Sequence, residues 1–270
     1  NPTVAPDGTI YVGIGDFGYP NLAARNDSPA GRIFRIATDG TLAPFARGFR
    51  NPYDLAVAPS GDYLIAGDNG AEAHDEVTFV REGEDHGWPS TSGSTTVPEG
   101  VTPPVYVFPD TVAPTGVTLA RGLIPGGRTG YLLASFVTRA IYFFPDLQAS
   151  PQVPLTLLED LPQLGGFNSI LDVAQRSDGE IFFATAGAIW RLVPPARGDV
   201  DGDGALSERD LEALAHELVD GDRDSILEIH GGSFAASWGA DVNEDGVVDS
   251  SDLVAWVILA QQRGRLVKRP

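Results

Sequence analysis

Two acidic stretches near the C-terminus carry the densest chemistry in the chain. Asp199, Asp201, Asp203, Ser207 and Asp210 stand at positions 1, 3, 5, 9 and 12 of one loop, and Asp241, Asn243, Asp245, Asp249 and Asp252 repeat those positions in another. Position 6 is glycine in both, Gly204 and Gly246, where a calcium loop turns sharply. The backbone carbonyls of Ala205 and Val247 would supply the position-7 ligands. Carboxylates this close repel by about 1 kcal/mol per pair even in a water-like dielectric. Two Ca2+ ions are expected here.

A second constellation lies between Gly48 and Pro89, where Arg50-Asn51 and Asp75-Glu76 sit at strand ends. A guanidinium beside an amide can stabilise negative charge developing on a carbonyl oxygen. The same pair can equally clamp a corner by hydrogen-bonding neighbouring backbone, and the residues alone leave both readings open. His74 and His86 are either general bases or solvated loop residues, and Trp88 reads as packing.

The elements that must position these residues are strands for the first constellation and helices for the second. From Thr3 to Val12 the chain reads strand, Pro6-Asp7-Gly8 turn, strand, with a third strand at Gly31–Ile36. The pattern returns at Leu55–Ile65, in degenerate form from Gly116 through Tyr131–Leu133 to Ala140–Phe144, and again at Leu171–Val193. Antiparallel units recurring at roughly 50–60 residues predict propeller blades, because no single unit can bury both its faces. We count four blades in residues 1–195, with the Pro-rich Pro98–Pro114 as a surface linker.

From Gly198 onward the composition shifts to 16 Asp+Glu against 6 Lys+Arg. Each acidic loop runs into a helix, with Leu211, Leu214, Ala215 and Leu218 on one apolar face and Leu253, Trp256, Val257 and Ala260 on the other. The expected fold is therefore mainly β, a β-propeller over 1–195 followed by a small α-helical calcium module over 198–264.

A formal net charge of −19 argues against nucleic acid as a partner. It suits divalent cations and a secreted, extracellular or periplasmic protein. The chain has no cysteine, which removes disulfide, zinc-thiolate and thiol-nucleophile chemistry. No apolar run reaches the ~18 residues of a membrane span. The chain opens at Asn1 inside a strand pattern, and the expectation is a fragment or trimmed product of a six-bladed ring.

Gly48-Phe49-Arg50-Asn51-Pro52, Asp75-Glu76-Val77 and Gly87-Trp88-Pro89, in this order, resemble the glucose/sorbosone dehydrogenase family of propellers, which use pyrroloquinoline quinone (PQQ). The resemblance implies a sugar substrate and hydride transfer from a sugar carbon to the quinone. By it, Arg50 and Asn51 contact the quinone carbonyls and Asp75 lies near a calcium. It also makes Asp16 the residue that orients a catalytic histidine, itself expected upstream of Asn1. Two departures stand out. The only lysine is Lys268, and the family's R-I-R-D-V reads Ser169-Ile170-Leu171-Asp172-Val173 without arginine, Arg139 being the nearest substitute. PQQ is accordingly expected to bind weakly, and a non-catalytic propeller that binds carbohydrate or protein is the alternative. The paired EF-hand-type loops and their helices resemble a type I dockerin module, which implies a cohesin-type partner met through Glu208-Arg209 or Ser250-Ser251. The 42 residues between loop starts are more than is usual in dockerins.

Overall fold

The computed structural model describes residues 1–121, 129–144, 154–159, 169–192, 196–201, 204–220, 233–234, 239–240, 242–243 and 249–263. Its body is four antiparallel sheets in chain order. The first joins β1 (Pro2–Val4), β2 (Ile10–Ile14), β3 (Arg32–Ile36) and β4 (Leu42–Arg47). The second joins β5 (Pro52–Val57), β6 (Leu64–Asp68), β7 (Glu76–Val80) and β8 (Tyr106–Val107). In the third, β9 (Pro114–Ala120), β10 (Gly130–Ser135), β11 (Ile141–Phe144) and β12 (Leu155–Glu159) pair in sequence. The fourth holds β13 (Ile170–Gln175), β14 (Ile181–Thr185) and β15 (Ile189–Leu192).

Side-chain alternation along the middle strands makes these sheets stack as blades. Successive residues of a strand point to opposite faces. Leu64 of β6 packs with Ile33, Phe45, Phe49 and Leu55, towards the first sheet. Its neighbour Ile65 packs with Tyr131, Leu133 and Phe144 of the third. In β10 the same split recurs, Leu132 joining Ile170, Val173 and Phe183 of the fourth sheet. Each sheet between two others thus buries both faces. That is why no blade is stable alone.

One sequence reading is corrected here. Pro98–Pro114 is not a plain linker, since Tyr106 and Val107 form the outer strand of the second sheet and Phe108 and Val112 are buried between blades. Among its described residues the blade region also has a short helix, α1 (Pro20–Ala23), started by a proline that fixes a helical φ at the first turn.

The blades are also tied through a buried carboxylate. Asp54 of β5 accepts a hydrogen bond from the Val117 amide of β9 at 2.7 Å. Burial pushes its carboxyl up to about 6, the Val117 and Leu55 amides opposing and Asp172 adding to the rise. The native state therefore holds more protons than the unfolded chain between about pH 4 and 6, so stability falls as pH rises through that window and is flat above it. Asp54→Asn, whose amide oxygen can still accept from Val117, should raise stability at pH 8 by up to about 3 kcal/mol and flatten this slope. Denaturant titrations at pH 4, 6 and 8 check it, and an unchanged slope would refute the assignment.

Beyond the blades, α2 (Glu208–Asp220) and α3 (Ser250–Arg263) pack around Val200, Leu214, Val242, Trp256 and Ala260. Trp256 Nε1 donates to the Gly198 carbonyl at 2.8 Å, fixing the loop entry to the second helix. A short strand, β16 (Ser233–Phe234), lies in the long segment between the two acidic loops and pairs with β12. No helix among the described residues is long and apolar enough to cross a membrane.

Candidate functional site

The second blade and its loops border a narrow cleft, open to solvent, lined by Arg50, Asp68, His74, Glu76, His86 and Trp88 among others. The corner leading into β5 sets its floor. Asp68, the last residue of β6, accepts from the Arg50 amide at 3.0 Å and the Asn51 amide at 2.6 Å, one carboxylate oxygen to each. The Arg50 carbonyl accepts from the Asp16 amide at 2.8 Å. Backbone bonding thus builds the corner while the Arg50 side chain lines the cleft, its Nη1 donating to the Asn69 carbonyl at 3.3 Å. That bond to a neighbouring backbone carbonyl is the contact the corner-clamp reading expects.

Trp88 also lines the cleft, its Nε1 donating to Asp16 Oδ2 at 3.1 Å. The other Asp16 oxygen accepts from the Gly18 amide. Asp16 is buried, and it is tied to the cleft through both Trp88 and the Arg50 carbonyl. Gly48 allows the walls to approach: with φ +84, a Cβ there would stand 2.4 Å from Asp85 Oδ1 and the Gly87 amide nitrogen. His86 is packed in, stacked on Phe49 and hydrogen-bonded through Nδ1 to Thr78 Oγ1. His74 is exposed, with a φ of 65° rare outside glycine, and Gly93 sits against its ring.

Charge in the cleft is unbalanced. Burial pushes the Asp68 carboxyl up to about 7, against its two amide bonds, with Glu76 raising it further and the Arg50 charge lowering it. Burial also raises Glu76, opposed by the Gly93 amide and His74. Glu76 belongs to the Asp75-Glu76 pair of the sequence reading, whereas Asp68 does not figure in it. The one available signal was an acid ending an otherwise apolar strand, Leu64–Asp68.

Asp75 stands elsewhere. It is buried, Oδ1 accepting from the Gly70 amide at 2.8 Å and Oδ2 from the Val112 and Ala113 amides at 2.7 Å each. Its carboxylate therefore staples the β6–β7 loop to the segment entering β9. Arg139 lies exposed in the turn between β10 and β11, and Lys268 lies outside the described residues.

The acidic loops share one internal geometry. Asp210 accepts from the Asp201 amide at 3.2 Å and the Ser207 amide at 2.6 Å. Asp252 accepts from the equivalent Asn243 and Asp249 amides, each at 2.9 Å. Both position-12 acids are fully buried. In the first loop, carboxylate oxygens of Asp199, Asp201 and Asp210 lie within 4.8 Å of one another. Burial lifts the Asp210 carboxyl to about 6, its Ser207 and Asp201 amide bonds opposing and the Asp201 and Asp199 charges adding. The Gly204 amide donates to Asp199 at 3.0 Å, closing the turn. Asp203, Asp241, Asp245 and Val247 lie outside the described residues.

Comparison with known proteins bears on the blades. An uncharacterized protein, slr1608, of Synechocystis sp. is 30% identical over 156 residues, covering 44% of this chain and 38% of that protein. Quinoprotein glucose dehydrogenase B of Acinetobacter calcoaceticus is 26% identical over 121 residues, 33% of this chain and 25% of that one. Among solved structures, the PQQ-bound aldose sugar dehydrogenase of Streptomyces coelicolor aligns with a TM-score of 0.57 at 23% identity, over 69% of this chain and 55% of that one. The soluble aldose sugar dehydrogenase of Escherichia coli aligns at 0.56 and 17% identity, over 71% and 63%. The chain spans less than two thirds of the length of each of these relatives. The structural likenesses show a fold shared with those proteins. The pattern of the glucose/sorbosone dehydrogenase family matches residues 3–193, and the chain belongs to that family.

Proposed function

We propose that residues 1–195 form a sugar-dehydrogenase-type propeller whose cleft offers one cation, Arg50, to a sugar or carbonyl oxygen without holding the whole quinone tightly, joined to a calcium-binding, dockerin-like module. The observation that carries the propeller reading is the presentation of Arg50. Its backbone is locked between Asp68 and Asp16, its Nη1 donates to the Asn69 carbonyl, and the residue lines the same cleft as Trp88. A charge fixed in this way costs little reorganisation when a carbonyl oxygen gains electron density. PQQ supplies hydride acceptance where it is bound.

The cleft residues do not fit the whole cofactor. PQQ carries three carboxylates, and unpaired buried carboxylates cost several kcal/mol each. Among the described lining residues Arg50 is the one Lys or Arg, and it faces two acids, Asp68 and Glu76. No catalytic step is therefore drawn through the quinone. This balance also supports the second reading, a propeller that binds carbohydrate or protein without oxidising it. Titration calorimetry of the full chain with PQQ and calcium decides between them. The expected result is binding weaker than micromolar. Micromolar or tighter binding that Arg50→Ala abolishes would establish a working quinone site.

For the module, the described ligands fit calcium. Three convergent carboxylates and the glycine turn at position 6 supply hard oxygens at short range. The second loop repeats the same amide bonding to its position-12 acid. A secreted location and a cohesin-type partner go with this reading. A pull-down with an isolated cohesin, with and without calcium, tests the partner.

A further inference from the structure

We propose that Asp68 is the positioning residue of the Arg50–Asn51 corner, and that its carboxylate, by holding two successive amides, sets where the guanidinium stands in the cleft. The geometry is a fork: Oδ2 takes the Arg50 amide and Oδ1 the Asn51 amide. Asn51 is then held from its other side, its carbonyl accepting from the Asn69 amide at 3.1 Å. Since Asn69 follows Asp68 directly, one dipeptide of β6 grips one dipeptide of the corner from both ends. Arg50 returns the contact through its side chain to the Asn69 carbonyl. Nothing in this arrangement requires an acid for folding alone, because a backbone carbonyl could accept either amide. An acid does one further thing, which is to switch.

An ionised carboxylate accepts both amides, whereas a protonated one has a hydroxyl where one acceptor stood. Burial places this change near neutral pH. The charged groups on the elements packed against β6 are Arg50 and Asp54 on the β5 side, Glu76 on β7, and Glu72, His74 and Asp75 in the β6–β7 loop. His86 lines the same cleft, and β9 brings none. Of these, Glu76 and Arg50 act on Asp68 in opposite directions. Above about pH 7 the fork is closed and Arg50 is fixed; below it the Asn51 or Arg50 amide loosens and the guanidinium gains freedom.

The proposal rests on Arg50 acting in the cleft, but its test does not. Proton–nitrogen correlation spectra of the full chain would be followed from pH 4 to 9. The Arg50 and Asn51 amide protons are expected to move together, with one midpoint near 7, and Asp68→Asn to abolish that movement. Asp68→Glu, which keeps an acid at the strand end, should restore a shared titration. If Asp68→Asn does not fold, the wild-type spectra decide alone: two amides that do not titrate across this range overturn the proposal. Titration that persists in Asp68→Asn overturns it too. Calorimetry with PQQ on the same samples separates the two ideas, since a shared amide titration without PQQ binding leaves the fork standing and removes the quinone reading.

Discussion

Chelating calcium should melt the two-helix module while the blades stay folded. The module's core is small, built on Val200, Leu214, Val242, Trp256 and Ala260, and a core of that size gives little stability by itself. Against it stand the clustered carboxylates of Asp199, Asp201 and Asp210. An ion that binds only the folded form adds RT ln(1 + [L]/Kd), or about 4 kcal/mol at a thousandfold excess over Kd. Its removal therefore exceeds the margin such a core offers. Circular dichroism at 222 nm on the full chain, with calcium and then with EDTA, should show loss of the helical signal, restored by calcium. Calorimetry should count two ions, with Asp199→Ala and Asp252→Ala each reduced to one. Helicity indifferent to EDTA, or two ions still bound in both variants, would falsify the assignment.

The helix faces show what the sequence could and could not reveal about this module. Leu211, Leu214 and Leu218, and in the second helix Leu253, Trp256 and Ala260, do face the core. Ala215 and Val257, expected beside them, are exposed, and Ala213 is buried in place of Ala215. Both errors have one cause. Ala215 and Val257 each stand five residues after the position-12 acid. Because Asp210 and Asp252 are fully buried, the inward arc of each helix is turned towards them, and at 100° per residue the fifth position rotates out. Apolar periodicity alone treats an acid as an outward residue. Here the acids are inward because the loop amides, and the proposed ion, lie there.

In the blades the local pattern sufficed for strands and turns, and failed where function depends on register. The strand pattern read over Leu55–Ile65 does form β5 and β6, with Leu64 and Ile65 turned to opposite faces of the second sheet. The pairing of Asp68 with amides 17 and 18 residues away follows from the register of β5 on β6, Pro52 opposite Asp68, which composition does not encode. Tyr106 and Phe108 escaped notice because prolines around them read as punctuation. An outer strand tolerates nearby proline since one of its edges has no ladder to lose.

Replacing Asp75 by alanine should cost roughly 4 kcal/mol of blade stability, a loss comparable with stripping the module of its calcium. Its carboxylate is the recorded acceptor for the Gly70, Val112 and Ala113 amides, and it is 1% exposed. A buried donor left without an acceptor costs about 1–3 kcal/mol. Three such donors, partly relieved by water entering the space, give the figure stated. Ala113 adds strain, since its φ of 51° is disfavoured for a residue with a Cβ and is held by this contact. Asp75→Asn should cost less than half as much, because its amide oxygen still serves one side while its NH2 opposes the other. The expectation taken from the family, a carboxylate near a calcium in the blades, makes a different forecast. It requires Asp75→Ala to leave the denaturation midpoint of the blades almost unchanged and to lower the calcium count of the full chain. Urea unfolding followed by blade tryptophan fluorescence, alongside calcium counting, separates the two. A large loss of stability with the count still at two would establish Asp75 as the staple between the β6–β7 loop and the entry to β9. It would leave Arg50, held by Asp68, as the cation on which ligand recognition in this cleft turns.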